Sequence, residues 1–145
     1  MYGAKEAGRN TLRFYLPGMN ERVLDRLALA EALRDALCDG QFELHYQPQL
    51  ALASGQVAGM ETLIRWRHPQ PGMLGPDRFI ALAEDTGLIV PIGAWALRSA
   101  CLQAATWQRA GYGPLRVAVN LSSRQFREAG LAGLIAAKAD KPELP

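Results

Sequence analysis

Cysteine is nearly missing from this chain. Cys38 and Cys101 stand alone, with no Cys-x-x-Cys pair and no histidine at metal-ligand spacing. Two isolated thiols suit a reducing cytoplasm, and a disulfide between them stays open on sequence alone. An excess of charge of one sign is lacking too. Sixteen Lys and Arg against fourteen Asp and Glu leave a formal +2, too balanced for a binder of nucleic-acid polymers. No apolar run approaches the length of a membrane span, and the N-terminus has no signal-peptide core. These absences predict a soluble, cytoplasmic segment; an anchor in a longer parent protein is left open. What remains is ordinary for one globular domain: 145 residues, 49% hydrophobic and 21% charged.

The most informative stretch is Val57 to Pro69. Its middle alternates with period two, the signature of a strand. Met60, Thr62, Ile64 and Trp66 form an apolar, β-branched face suited to packing under helices. Glu61, Leu63, Arg65 and Arg67 form the other. Glu61 and Arg65 are spaced by about 13 Å at the strand rise. That suits an acid at one end of a bound phosphate compound and a guanidinium at the other. A solvated polar face explains the same residues equally well.

The neighbouring segments read as an α/β chain. Glu21 to Gly40 places Val23, Leu24, Leu27, Ala30, Leu33, Ala36 and Leu37 at helical spacing, with Asn20 as N-cap and Gly40 as the stop. It is expected to pack and to join two domains, or else to bind a partner. Phe42 to Leu50 alternates as a strand that meets Pro48; His45 on its polar face is a possible ligand, although a lone histidine is more often structural. Pro69 to Gly75 is a Pro/Gly-rich loop. A helix starts near Pro76 and ends at Gly87, and another runs from Pro91 to about Ala110, with Ile92, Trp95, Ala96, Ser99, Leu102, Ala105 and Thr106 on one face. Trp95 and Trp107 are expected to pack in a core or interface. Leu115 to Ser122 is a strand with Ala118, Asn120 and Ser122 on one face, and a further helix follows through Leu131, Leu134 and Ile135. Asn120 taken alone reads either as a strand-end turn residue or as an oxygen offered to a ligand.

Glu61-Thr62-Leu63 followed by Ile-Arg-Trp-Arg-His-Pro resembles the signature strand of the EAL-type cyclic-di-GMP phosphodiesterases, with Thr62 in place of that family's Ala. Three further runs resemble the same family in the same order: Tyr46-Gln47-Pro48, Pro76-x-x-Phe79-Ile80-x-x-Ala83-Glu84, and Val119-Asn120-Leu121-Ser122. The resemblance implies the N-terminal part of a (β/α)8 TIM-like barrel of EAL type, over 41–145, after a linker helix at 21–40. It implies Glu61 as a catalytic carboxylate and, with Asn120, a ligand of Mg2+ or Mn2+. It also implies Gln47, Leu63, Arg65 and Pro76 as contacts of cyclic-di-GMP. Residues 1–20, with Tyr-x-Ala-Lys-x-Ala-Gly-Arg-Asn and a short aromatic strand, resemble the end of a GGDEF (diguanylate cyclase) domain without the cyclase signature.

A full barrel of this kind takes eight strands and about 250 residues, against roughly three strands legible here. The later family motifs are missing; after Asn120 the only acids are Glu128, Asp140 and Glu143. Glu61 and Asn120 supply one carboxylate and one neutral oxygen, too few to hold two divalent ions about 4 Å apart. The expectation is therefore a partial cyclic-di-GMP phosphodiesterase, inactive by itself. A non-catalytic module that binds cyclic-di-GMP or a protein partner, and a gene fragment with no function of its own, are the competing readings. The open sheet edge is expected to make the chain marginal or self-associating.

Overall fold

A computed structural model describes residues 19–127 and Gly133. The expected cyclase-domain remnant at 1–18 and most of the helix expected after Ser123 lie outside the described residues. Helix α1 (Met19–Ala36) leads into strands β1 (Phe42–Leu50) and β2 (Val57–His68). A short strand β3 (Gly72–Leu74), helix α2 (Ile80–Thr86), helix α3 (Ile89–Arg109) and strand β4 (Arg116–Val119) follow. Single 3-10 turns at Pro76–Arg78 and Gln125–Arg127 complete the described chain.

Strand β2 is the centre of the sheet. On one edge it pairs antiparallel with β1, from Phe42 opposite Trp66 to Leu50 opposite Val57. The tight connection is closed by Ala51 N–H donating to Gln56 O at 2.8 Å, with Gly55 at φ +68°. The other edge is shared. β3 pairs antiparallel with Trp66–His68, and β4 pairs parallel with Gly59–Thr62. Parallel pairing requires a long crossover, and β3, α2 and α3 supply it. The result is the α/β arrangement expected, entered through an antiparallel first strand.

The alternation of β2 sorts the molecule. Thr62 and Trp66 are buried, and Ile64 packs against the core beneath the helices. Phe42 meets Trp66, Phe79 and Trp95 at ring-centroid distances of 6.0, 5.8 and 5.7 Å, and Trp66 meets Phe79 edge-on at 5.7 Å. Such tilted pairs add to simple area burial. The indole N–H of Trp66 donates to Gln41 Oε1 at 3.0 Å, so the largest core side chain brings no unpaired donor. Leu33 and Ala36 of α1, Leu82 and Ala83 of α2, and Ile89 and Ile92 of α3 close the cluster. Trp107 packs edge-on against Tyr46 at 4.8 Å, as expected of a packing tryptophan.

Several boundaries differ from the sequence reading, each for a local reason. Helix α1 already includes Asn20, so Asn20 is not its N-cap. Its apolar residues are not covered along the whole helix: Leu33 and Ala36 are buried, while Val23, Leu24 and Leu27, nearer its start, stay exposed. The helix ends at Ala36, with Gly40 in the following turn at φ +63°. Strand β1 runs through Pro48 to Leu50, because an edge strand tolerates a residue without an N–H. The Pro/Gly loop contains β3, held by Trp66 and Arg67 opposite Leu74 and Met73. Pro76 starts a 3-10 turn ahead of α2. On α3 the buried positions are Ile89, Ile92, Gly93, Ala96, Leu97 and Ala100; Thr106 is exposed.

Candidate functional site

The face of the sheet turned away from the helices carries most of the residues singled out above. Register brings them into rows. Gln47 of β1 stands opposite Glu61 of β2, which stands opposite Ala118 of β4. Two residues beyond Ala118 comes Asn120, at the C-terminal end of β4 and on the same side as Glu61. Its Nδ2 donates to Glu61 Oε1 at 2.9 Å. Two side chains separated by 59 positions in sequence thus meet. Thr62, the departure from the family motif, points the other way. Its hydroxyl is buried and donates to Ala118 O at 3.0 Å, tying β4 to β2 from below. The methyl and hydroxyl that distinguish Thr from Ala therefore lie on the opposite side of the sheet from Glu61.

Leu63 and Arg65 continue along the same face of β2, opposite His45 and Glu43. Arg65 is half-buried and donates one Nη1 hydrogen to Ile64 O at 2.9 Å, which leaves guanidinium hydrogens for an anion. Next to it lies a charged group that the sequence reading did not single out. Glu43 pairs with both Arg67 and His45, the latter at 2.8 Å. A carboxylate only accepts, so His45 Nε2 carries the hydrogen of that bond. The His45 bond first, and Arg67 after it, hold the Glu43 carboxyl below its ordinary value of 4.5 against the opposing effect of burial. On β1's other face, burial pushes the Tyr46 hydroxyl above its ordinary value of 10.0. The signal for the Glu43 cluster lay in the hairpin. Once the short turn fixes the register, Glu43 falls opposite Arg65 and diagonal to Arg67.

Not every predicted residue joins this row. Pro76 sits across β3, and with Leu63 and Asn120 it lines a cavity of about 210 Å3 between the sheet and helices α2 and α3. The walls are mostly apolar, with Ile64, Ile80 and Ile92 among them; Gln47, Glu61 and Arg65 stand outside it. Two groups of predicted residues are thus separated, Gln47, Glu61 and Arg65 on the open face and Pro76 in the cavity wall, with Leu63 and Asn120 bordering both.

The fit to a divalent ion can be judged from the donor set. Asn120 spends its nitrogen on Glu61, so the pair has one carboxylate and one carboxamide oxygen to offer. Mg2+ takes six oxygens in near-octahedral array, so the pair fits two positions of one ion. Among the described residues no group of three His, Cys, Asp or Glu could enclose a metal. The described residues thus offer two oxygens and no closed set of ligands. Among the described residues, too, no helix is long and apolar enough to cross a membrane.

Comparison with known proteins bears on the family of the chain. A family model described as EAL domain matches residues 30–145. The bifunctional diguanylate cyclase/cyclic di-GMP phosphodiesterase MucR of Pseudomonas aeruginosa is 47% identical over 131 residues, 90% of this chain and 19% of that protein. The cyclic di-GMP phosphodiesterase PdeR of Escherichia coli is 44% identical over 128 residues, 88% of this chain and 19% of that protein. This chain therefore spans about a fifth of the length of these curated relatives. Among solved structures, the PaMucR phosphodiesterase in its c-di-GMP complex superposes with a TM-score of 0.74 at 45% identity, over 77% of this chain and 45% of that one. The EAL enzyme Bd1971, in its cAMP- and cyclic-di-GMP-bound form, gives a TM-score of 0.76 at 29% identity, over 83% of this chain and 34% of that one. With the family's signature strand at the centre of its sheet and the family model matched from residue 30 onward, the chain belongs to the EAL family and corresponds to the N-terminal part of an EAL domain.

Proposed function

We propose that this chain is the part of a cyclic-di-GMP phosphodiesterase domain that holds substrate and contributes to the metal site, and that it does not turn over substrate by itself. The observation that carries the reading is the contact between Asn120 and Glu61, in register with Gln47 and in line with Arg65. An acid within β2 and a carboxamide just past the end of the parallel strand β4, with a guanidinium further along β2, match a phosphodiester held between a cation and an arginine. The relatives named as cyclic di-GMP phosphodiesterases support cyclic-di-GMP as the ligand. In this reading Gln47 hydrogen-bonds the dinucleotide, Arg65 pairs with a phosphate and Leu63 borders it, while Pro76 stands apart in the cavity wall.

Glu61 and Asn120 would each give one oxygen to a Mg2+ or Mn2+ ion. When bound, that ion would neutralise phosphate charge and lower the pKa of a water. The residues themselves orient: Asn120 fixes the rotamer of Glu61, and Arg65 holds phosphate charge near the acid. One carboxylate does not balance two dications, which is why hydrolysis is assigned to a domain that brings further ligands. The same shortage favours a second reading, a module that binds cyclic-di-GMP without cleaving it. Residues 1–20 fit the end of a cyclase domain, an order supported by the bifunctional name of MucR. A cytoplasmic location fits the two free thiols, Cys38 and Cys101.

The test is turnover. Purified chain with cyclic-di-GMP and Mg2+ or Mn2+, followed by chromatography, is expected to yield no linear dinucleotide. Product that disappears in Glu61→Ala would show that the site is complete as it stands.

A further inference from the structure

We infer that Gln125, outside the proposed ligand set, is a positioning residue that holds Asn120 in its contact with Glu61. The inference rests on the reading of Asn120 as a ligand. After β4 the chain leaves the sheet at Asn120 and turns back over the helices through Ser122 and the 3-10 turn at Gln125–Arg127. The turn is closed by a side chain: Ser122 N–H donates to Gln125 Oε1 at 2.9 Å, and Gln125 N–H donates to Ser122 O at 3.1 Å. Gln125 is only 4% exposed, an unusual place for a carboxamide unless it is bonded and seated.

Its seat is Gly93 of α3. A Cβ at that position would stand 1.6 Å from Gln125 Nε2 and 2.5 Å from Cδ, so only glycine leaves room for the carboxamide. Beside it, Arg124 Nη1 donates to Glu84 O at 2.6 Å, in the last turn of α2. The segment is thereby fastened to both helices, with Asn120 five residues upstream reaching Glu61. The Asn120 side chain is exposed, and its one hydrogen bond competes with water and with rotamer freedom. A backbone pinned at Ser122 and Gln125 restricts where Asn120 can point. The same seat forms part of the cavity wall that Asn120 borders.

The test is NMR of the complete, isotope-labelled chain, reading the Asn120 side-chain amide. Gln125→Met fills the seat on Gly93 but offers Ser122 no oxygen. It is expected to move the Asn120 amide signals to the positions of a free, solvated carboxamide while Thr62, Ile92 and Ala96 keep their backbone shifts. Gln125→Glu keeps an oxygen acceptor and is expected to retain the Asn120 signals. Unmoved Asn120 signals in Gln125→Met would overturn the inference. So would equal disturbance or unfolding of β2 and α3, because Gln125 would then prop up the domain at large. Titration of the unsubstituted chain with cyclic-di-GMP and Mg2+ tests the ligand reading separately. No shift there would remove Asn120 from the ligand set and leave its positioning by Gln125 standing.

Discussion

At the scale of single residues, the site is a matter of which side of one strand a side chain takes. Glu61 and Thr62 are neighbours in sequence with opposite duties: one meets Asn120 on the open face, the other bonds Ala118 O beneath the sheet. Alternation made that division legible in advance, because period two leaves a strand residue no third choice. The bond between Glu61 and Asn120 was legible only through family resemblance, since nothing local in either segment says which strands become neighbours. Glu43 shows the opposite case, a residue passed over although the register alone would have found it. Its carboxyl is held below its ordinary value, so the unfolded state binds the extra proton as pH falls and stability drops with it. The contribution is complete above pH 4.5 and is lost as pH falls through the folded-state value. Urea titrations between about pH 6 and about pH 3 are therefore expected to show a shallower acid loss in Glu43→Gln than in the parent chain. Equal slopes would mean that the pairs with His45 and Arg67 do not survive in solution.

At the scale of elements, β2 had its faces assigned correctly because the same alternation continues from Met60 to Arg67. Helix α1 did not, because spacing alone cannot tell which apolar residues are covered: Leu33 and Ala36 are buried, Leu24 and Leu27 exposed. β3 was read as loop since three residues that begin at Gly72 and stop before Gly75 carry no periodicity; a neighbouring strand edge created it. The parallel join of β2 and β4 depends on a close approach. A Cβ at Gly59 would lie 3.0 Å from Arg116 O and 3.3 Å from Arg116 Cβ. Gly59→Val should push β4 away from β2 at a cost of about 1–3 kcal/mol, in the range of overpacking. Guanidinium unfolding measures the cost. Amide exchange should also accelerate at Ala118 and Val119 more than in α3. Uniform acceleration would locate the damage elsewhere.

At the scale of the whole molecule, the sheet has unpaired edges among the described residues, with β1 and β4 each bonded on one side only there. Pro48 interrupts the β1 edge, which weakens it as a template, whereas β4 has no proline to break its ladder. Concentration-dependent sedimentation is the expected behaviour, and a single monomeric boundary at all concentrations would show that the edges are covered. The central claim is that the open face bearing Gln47, Glu61, Arg65 and Asn120 receives cyclic-di-GMP. Calorimetric titration of the chain with cyclic-di-GMP in Mg2+ tests it most directly. Binding is expected, and Arg65→Ala should weaken it about tenfold or more, the worth of one charge-assisted hydrogen bond. A folded chain that binds nothing, or one whose affinity is indifferent to Arg65→Ala, would contradict the claim.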